Sequence, residues 1–363
     1  MNLYEITDIT GAVTLVQLVL FSLYLLTQVK KGEKKMYYLS GFLGVSALFM
    51  FEFLFNRMKF ASLYGIPDIT IFLAPFSFFF GPTLYFYTRL QTGRSKSDHA
   101  FRFSLIPFSI GLIISSAMPE KSHLISLAGY LFYSGIFMVL SIAEIIRYRN
   151  EIKNYYSNTA RINLTWLLIV NSGFTLMWFS DFSNYLLGGQ LKIITRSTAE
   201  WFTFISVSCN FIFANLITFI TLKNMGIPGA ELPEEEKTKP QQEILDQATL
   251  REYKEKVKGL LTKEQLYLNP DVTLQDFAGQ LGINARYLSY TINTGFGKTF
   301  FELINEYRIM HARELLLEEG AEKRTVLEVM YESGFNSKSA FNTAFKKYTG
   351  LTPSGFKNTR KAG

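Results

Sequence analysis

The chain has 363 residues, 48% of them apolar and 16% aromatic, with a formal net charge of +7 and a slightly positive mean hydropathy. One cysteine, Cys209, excludes an internal disulfide and a cysteine-built metal site, and the three histidines (His99, His123, His311) are scattered. No phosphate-cradling glycine loop, paired His-Glu motif or nucleophile elbow occurs, so the sequence reads as a non-enzyme needing no metal or cofactor.

Length alone suggests two to three domains, and the charges divide the chain unevenly. Residues 1–239 carry 20 Lys+Arg and 15 Asp+Glu, most of them between apolar runs, whereas 240–363 carry 17 and 15. The front reads as seven bilayer-crossing helices of ~20 residues each, at about 10–28, 37–56, 69–89, 103–118, 123–146, 164–187 and 202–222. The opening MNLYEITD is acidic and lacks the basic start of a secretory signal, so the first run is expected to stay as a helix.

Orientation follows from the bias of Lys and Arg toward cytoplasmic loops. One set of loops holds Lys30, Lys31, Lys34, Lys35, Arg89, Arg94, Lys96, Arg102, Arg147, Arg149, Lys153 and Arg161. The other holds only Arg57, Lys59, Lys121, Lys192 and Arg196. This puts the N-terminus outside and everything from Lys223 onward in the cytoplasm.

Several polar residues lie inside the spans: Gln17, Glu52, Asn171, Asp181, Asn184, Asn210 and Asn215. An ionisable group at such depth costs a few kcal/mol unless it meets a cavity or a partner. Two readings are open for Glu52 and Asp181: a signal-binding pocket opening outward, or interhelical hydrogen bonds worth ~1 kcal/mol each. In FFFGPTLYFYTRL (78–90), Pro82 beside Gly81 suggests a kinked helix, either a moving part or static packing. Residues 1–225 thus form the expected membrane module, and GIPGAELPEEEKTKP begins a linker over 226–243.

The tail, 244–363, has the composition of a soluble helical domain. A lead-in helix is expected over 244–268. Thr273 then caps a helix burying Leu274, Phe277 and Ala278; Gly282 turns the chain, and Asn284 caps a second helix with Leu288 and Ile292 inside. The plan repeats after a long amphipathic helix at 300–319. Val326, Leu327, Val329 and Met330 start a helix, Gly334 turns it, Asn336 or Ser337 caps the next, and Phe341, Ala344 and Phe345 form its inner stripe. The opposite faces hold Arg286, Ser289, Tyr290 and Asn293 in the unit at about 273–293. In the unit at about 325–348 they hold Ser339, Asn342, Thr343 and Lys346, with Lys338 in the first turn. From Gly334 onward there are six basic residues and no acid. Two such units in tandem with a basic end point to double-stranded DNA. Phe335, Phe341, Phe345 and Phe356 read as core.

The last ~110 residues resemble the AraC/XylS-type DNA-binding domain. The resemblance rests on Leu274–Ala278, Leu281, Gly282, Leu288, Arg308, Ala312, Leu315 and Leu316, then Gly334–Phe335, Ser339, Phe341, Phe345–Lys347, Gly350, Thr352, Pro353 and Phe356. It implies seven helices, with a linking helix that sets two recognition helices in successive major grooves ~34 Å apart. Base-reading positions carried over are Arg286, Tyr287, Ser289 and Tyr290, and then Lys338, Ser339 and Thr343. Asn293, Asn342, Lys346, Lys347 and Lys357 are expected on phosphates. Tyr290 and Thr343 stand where relatives often carry Arg, and Asn293 where Lys is frequent, so Arg286 is the principal bidentate reader of guanine.

The whole arrangement resembles the membrane-bound AraC-type regulators of bacteria: an all-α chain, a polytopic seven-helix bundle followed by tandem helix-turn-helix units. It implies a one-component transcription regulator in the bacterial inner membrane, DNA-binding domain in the cytoplasm. Its partners would be lipid, promoter DNA, an unknown signal ligand or membrane partner, and a second copy on DNA. Two other readings are a transporter or channel with a regulatory tail, and a DNA-binding regulator whose membrane part is only an anchor or docking surface.

Overall fold

The computed structural model describes residues 2–29, 35–59, 63, 69–93, 98–117, 119–160, 162–184, 195–224, 245–318 and 324–359. The linker at 226–243, Arg360 and Lys361, seven of the counted loop cations (Lys30, Lys31, Lys34, Arg94, Lys96, Arg161, Lys192) and the side chain of Asp181 lie outside them. Every regular element among the described residues is helical. The chain divides into two compact units, one of Met1–Ile146 with Leu164–Gly229, the other of Arg147–Asn163 with Ala230–Gly363.

In the first unit, α1 spans Leu3–Thr27, starting well before the expected residue 10. The cause is a reciprocal cap: Asn2 Oδ1 accepts from the Glu5 N–H at 2.9 Å, and the Glu5 carboxylate accepts from the Asn2 N–H at 3.1 Å. α2 follows at Lys35–Arg57. The third expected span is broken into α3 (Thr70–Leu73), a tighter helix at Ala74–Phe79 with Pro75 in its first turn, and α4 (Phe80–Gln91). The remaining helices are α5 (Asp98–Phe103), α6 (Ile106–Ala117), α7 (Pro119–Glu151), α8 (Thr165–Asn184) and α9 (Arg196–Asn224). Among the described residues five helical stretches are long and apolar enough to cross a membrane: Leu3–Thr27, Lys35–Arg57, Ala100–Ala117, Gly129–Asn154 and Ser197–Lys223.

Pro82 does not kink a helix. It sits in the first turn of α4, where its missing N–H leaves no helical bond unmade; the break lies upstream, at Pro75. Gly81 serves close packing: a Cβ there would stand 2.9 Å from Phe137 Cβ and 3.1 Å from Ser134 Cα on α7. Small and polar side chains join the helices elsewhere. Ser22 and Ser40 each donate to the other's carbonyl at 2.9 Å, and Thr88 and Ser141 share a hydrogen bond of 2.8 Å. Phe42 is the aromatic hub, edge-on to Phe80, Phe174 and Phe213. Gln17 accepts from Asn215 at 3.2 Å, while Asn171 and Asn210 turn their amides to their own helices. Of these four, the Gln17–Asn215 pair is an interhelical hydrogen bond, whereas the amides of Asn171 and Asn210 bond within their own helices.

The second unit contains α10 (Gln247–Thr262), α11 (Leu274–Leu281), α12 (Ala285–Phe296), α13 (Phe300–Leu317), α14 (Val326–Glu332), α15 (Lys338–Thr349) and α16 (Pro353–Thr359). The lead-in helix is shorter than expected: Asp246 caps it, and it gives way to a short tight helix at Leu266–Leu268. Thr273 with Asp276, Thr299 with Glu302 and Thr325 with Glu328 form three reciprocal caps, each worth ~1 kcal/mol. Two apolar clusters make the core. Val257, Phe277, Leu288, Ile292, Phe300 and Ile304 build one, and Ile309, Leu316, Val329, Phe341 and Phe345 the other. α13 gives its first half to one cluster and its second half to the other, which fixes the two helix pairs on a single rod.

Candidate nucleic-acid interface

Each helix pair turns at a left-handed glycine. Gly282 has φ 65°, with no atom near where a Cβ would go; Gly334 has φ 82°, and a Cβ there would stand 2.8 Å from the carbonyl oxygens of Tyr267 and Leu268. Asn284 caps α12, accepting from the Arg286 N–H at 2.8 Å. Of the two residues offered as the cap of α15, the structure selects Ser337, which accepts from the Ala340 N–H. Leu288, Ile292, Phe341 and Phe345 are buried, as are Val329 and Met330, whereas Leu327 is 52% exposed despite its place in the apolar run. Phe335 is buried and Phe356 packs on the second cluster.

The outward faces carry the expected readers. Arg286 and Asn293 are exposed on α12, with Tyr287, Ser289 and Tyr290 half-buried between them. Lys338, Ser339, Asn342, Thr343, Lys346 and Lys347 are all exposed on α15. Two of the expected phosphate cations are engaged within the protein: Lys347 pairs with Glu302 at 3.2 Å, and Lys357 donates to the Arg324 carbonyl. The Glu302 carboxyl is held below its usual range, first by the Thr299 backbone N–H and further by Lys347.

A stretch absent from the sequence reading completes this unit. Residues 147–163 connect α7 to α8, yet they pack with the helix-turn-helix pairs. Ser157 N–H and Oγ both donate to the Val272 carbonyl, at 3.3 and 2.6 Å, and the Leu274 N–H donates to the Tyr155 carbonyl at 2.8 Å. Asn158 Nδ2 donates to Asn336 Oδ1 at 2.9 Å, next to the second turn. The fully buried Arg308 on α13 ties these parts together, donating to the carbonyls of Tyr267 and Asn269 at 2.7 Å each and to Ser157 Oγ at 3.2 Å. Burial pulls its guanidinium down to about 10, opposed by Asp271, so it remains charged at neutral pH. A cleft of about 550 Å³ lies between this connector and α15, lined by Asn158, Thr159 and Asn163 on one side and Ser339, Thr343 and Lys347 on the other. Two of the expected base readers therefore face the connector.

Residues 277–359 match the family described as Helix-turn-helix domain. An uncharacterized HTH-type transcriptional regulator from Pseudoalteromonas carrageenovora is 37% identical over 101 residues, which are 28% of this chain and 57% of that protein. The HTH-type transcriptional regulator ExsA of Pseudomonas aeruginosa is 30% identical over 94 residues, 26% of this chain and 32% of that one. This chain thus spans little more than half of the first relative and about a third of the second. A solved structure, the C-terminal domain of AraT, a response regulator from Geobacillus stearothermophilus, is 28% identical, covering 31% of this chain and 84% of that domain with a TM-score of 0.26.

Proposed function

We propose that this chain, whose C-terminal region is an AraC-type helix-turn-helix domain, is a membrane-bound one-component transcription regulator. α12 and α15 read promoter DNA, and the apolar helices hold the protein in the bilayer and sense a signal. Five helical stretches of sufficient length and apolarity support membrane insertion. In the reading of bases, Arg286, Tyr287, Ser289 and Tyr290 act from the first pair, and Lys338, Ser339 and Thr343 from the second. Asn293, Asn342, Lys346, Lys347 and Lys357 hold phosphates.

The observation that carries control, rather than mere anchoring, is the connector. Residues 147–163, the last turn of α7 and the segment after it, belong to the DNA-binding unit. At 1.5 Å per residue its 33 residues run about 50 Å, against a hydrocarbon core of ~30 Å, so α7 can transmit a shift beyond the bilayer. Ser339 and Thr343 share a cleft with Asn158 and Asn163, so withdrawal of the connector opens the reading face. A signal that favours the withdrawn state raises DNA affinity by no more than its own differential binding to the two states.

The test is DNA binding by the full chain in lipid nanodiscs with Asn158→Asp, which sets a like charge beside Asp271 and loosens the connector. Tighter DNA binding than wild type is expected. Unchanged affinity in a folded variant would leave DNA binding intact and reduce the membrane helices to an anchor.

A further inference from the structure

The first unit encloses a cavity of about 400 Å³, a volume typical of small-molecule sites. Six helical elements wall it: Phe49 and Glu52 come from α2, Ser77 from the tight helix at Ala74–Phe79, Phe80 from α4, Tyr130 from α7, Phe174 from α8 and Asn210 from α9. Its chemistry is one-sided. Among the described residues the lining contains one carboxylate, Glu52, and no Lys, Arg or His. Glu52 Oε2 is shielded from solvent. Asn210 gives one amide hydrogen to the Ser206 carbonyl at 2.9 Å, which leaves its Oδ1 as an acceptor beside a second N–H. The hydroxyls of Ser46, Ser77, Thr203 and Ser206 add to the polar part of the lining, and Phe49, Phe53, Phe80, Tyr130 and Phe174 bring aromatic rings.

This set rejects anions and suits cations. A carboxylate at bilayer depth repels a second negative charge, and no cation among the described lining residues compensates one. An ammonium gains from the carboxylate, from neutral acceptors, and from the faces of Phe and Tyr rings, whose quadrupoles attract positive charge most where water is scarce. The apolar remainder of the wall takes a hydrocarbon or aromatic body.

We propose that this cavity is a binding site for an organic cation, a primary amine with an aromatic or aliphatic body, with Glu52 as its counter-ion. The inference deepens the reading of the chain as a membrane-bound regulator by giving its sensing module a ligand class. In the outside-first orientation Glu52 falls in the outer half of α2, while Phe174 and Asn210 lie near the middle of α8 and α9, so the site would sit between mid-depth and the outer face.

The experiment uses the full chain in lipid nanodiscs and three probes of one shape: tryptamine (cation), tryptophol (neutral) and indolepropionate (anion). Equilibrium dialysis against empty nanodiscs separates saturable binding from partitioning into lipid. Saturable tryptamine binding is expected, at least about tenfold tighter than tryptophol, as loss of a charge-assisted hydrogen bond implies, with no indolepropionate binding. Glu52→Gln should weaken tryptamine about tenfold or more while the ligand-free chain keeps its melting temperature. Met177→Trp, which fills the cavity from α8, should block it without touching the carboxylate. Equal binding of tryptophol, unchanged affinity in Glu52→Gln, or no saturable tryptamine binding each overturns the assignment. DNA affinity measured on the same samples separates the two claims. A chain that binds DNA but no amine refutes the cavity site alone, and one that binds amine but no DNA refutes the regulator alone.

Discussion

In the first unit the exposed side chains include Val13, Leu20, Phe132, Leu176 and Phe219, while Ser22, Ser40, Thr88, Ser141 and Asn171 are buried; in the second, the buried residues are Phe277, Leu288, Ile304 and Phe341, and Arg286, Lys338 and Lys346 are exposed. The difference agrees with the proposal that the first unit folds in lipid and the second in water. Where lipid is the solvent, apolar burial does not hold helices together, and small residues and hydrogen bonds between helices do. Where water is the solvent, apolar clusters do that work and every helix end needs a cap.

Variants that act on one unit only sharpen this comparison. The largest effect belongs to Arg308→Met. It removes the guanidinium that satisfies Tyr267, Asn269 and Ser157, and breaking such a buried network costs about 3–5 kcal/mol. Hydrogen exchange on the full chain should show the second unit opening while α1, α2 and α9 stay protected; equal loss in both units would break the comparison. Next comes Gly81→Leu, which drives a side chain into Phe137 and the Ser134 backbone. Its overpacking cost of at least about 1–3 kcal/mol should appear in the first unit, with the melting of the helix-turn-helix pairs unchanged.

A smaller contrast separates the two turns. Gly334→Ala combines a left-handed φ with a clash on two carbonyl oxygens, whereas Gly282→Ala meets open space. The left-handed backbone alone costs about 1–2 kcal/mol, so thermal unfolding should show Gly334→Ala to be the more damaging. The reverse order would contradict the packing around the second turn. Least is expected from the exposed Lys347–Glu302 pair: Lys347→Ala should cost under ~1 kcal/mol of stability yet weaken DNA binding on all sequences.

Glu302 adds a pH dependence. Its folded-state pKa is depressed, chiefly by the Thr299 backbone N–H, so its contribution is present at neutral pH and lost as pH falls through that depressed value, below the usual carboxylate range. In an acid titration of stability, Glu302→Gln should flatten this limb; an unaltered limb would remove Glu302 from the account.

The same contrast explains how far the sequence could be read. Thr273, Gly282, Asn284 and Gly334 were legible because caps and left-handed turns are local chemistry, set by a few neighbouring residues. The third span was legible as apolar but not as continuous, since Pro75 breaks it in a run whose composition still looks membrane-like. Pro82 drew attention as a kink because sequence does not say which turn of a helix a proline occupies. The connector was legible as a basic loop through Arg147, Arg149, Lys153 and Arg161, but its packing was not: Ser157 meets Val272 and Arg308 across 115 and 151 residues of chain, and no local pattern encodes such a meeting. Glu52 stood out as an acid in an apolar run, but the cavity it lines is assembled by six helical elements.

The central claim is that a chain held in a bilayer by its first unit reads DNA with its second. Fluorescence anisotropy of labelled duplex DNA against the full chain in nanodiscs, across rising salt, tests it most directly. The account predicts binding at low salt that falls linearly on a log–log scale, by roughly 0.9 per phosphate neutralised. Lys346→Ala should lower that slope by about 1, and Arg286→Ala should relax sequence preference at an unchanged slope. Absence of binding at low salt by correctly folded, inserted protein would contradict it.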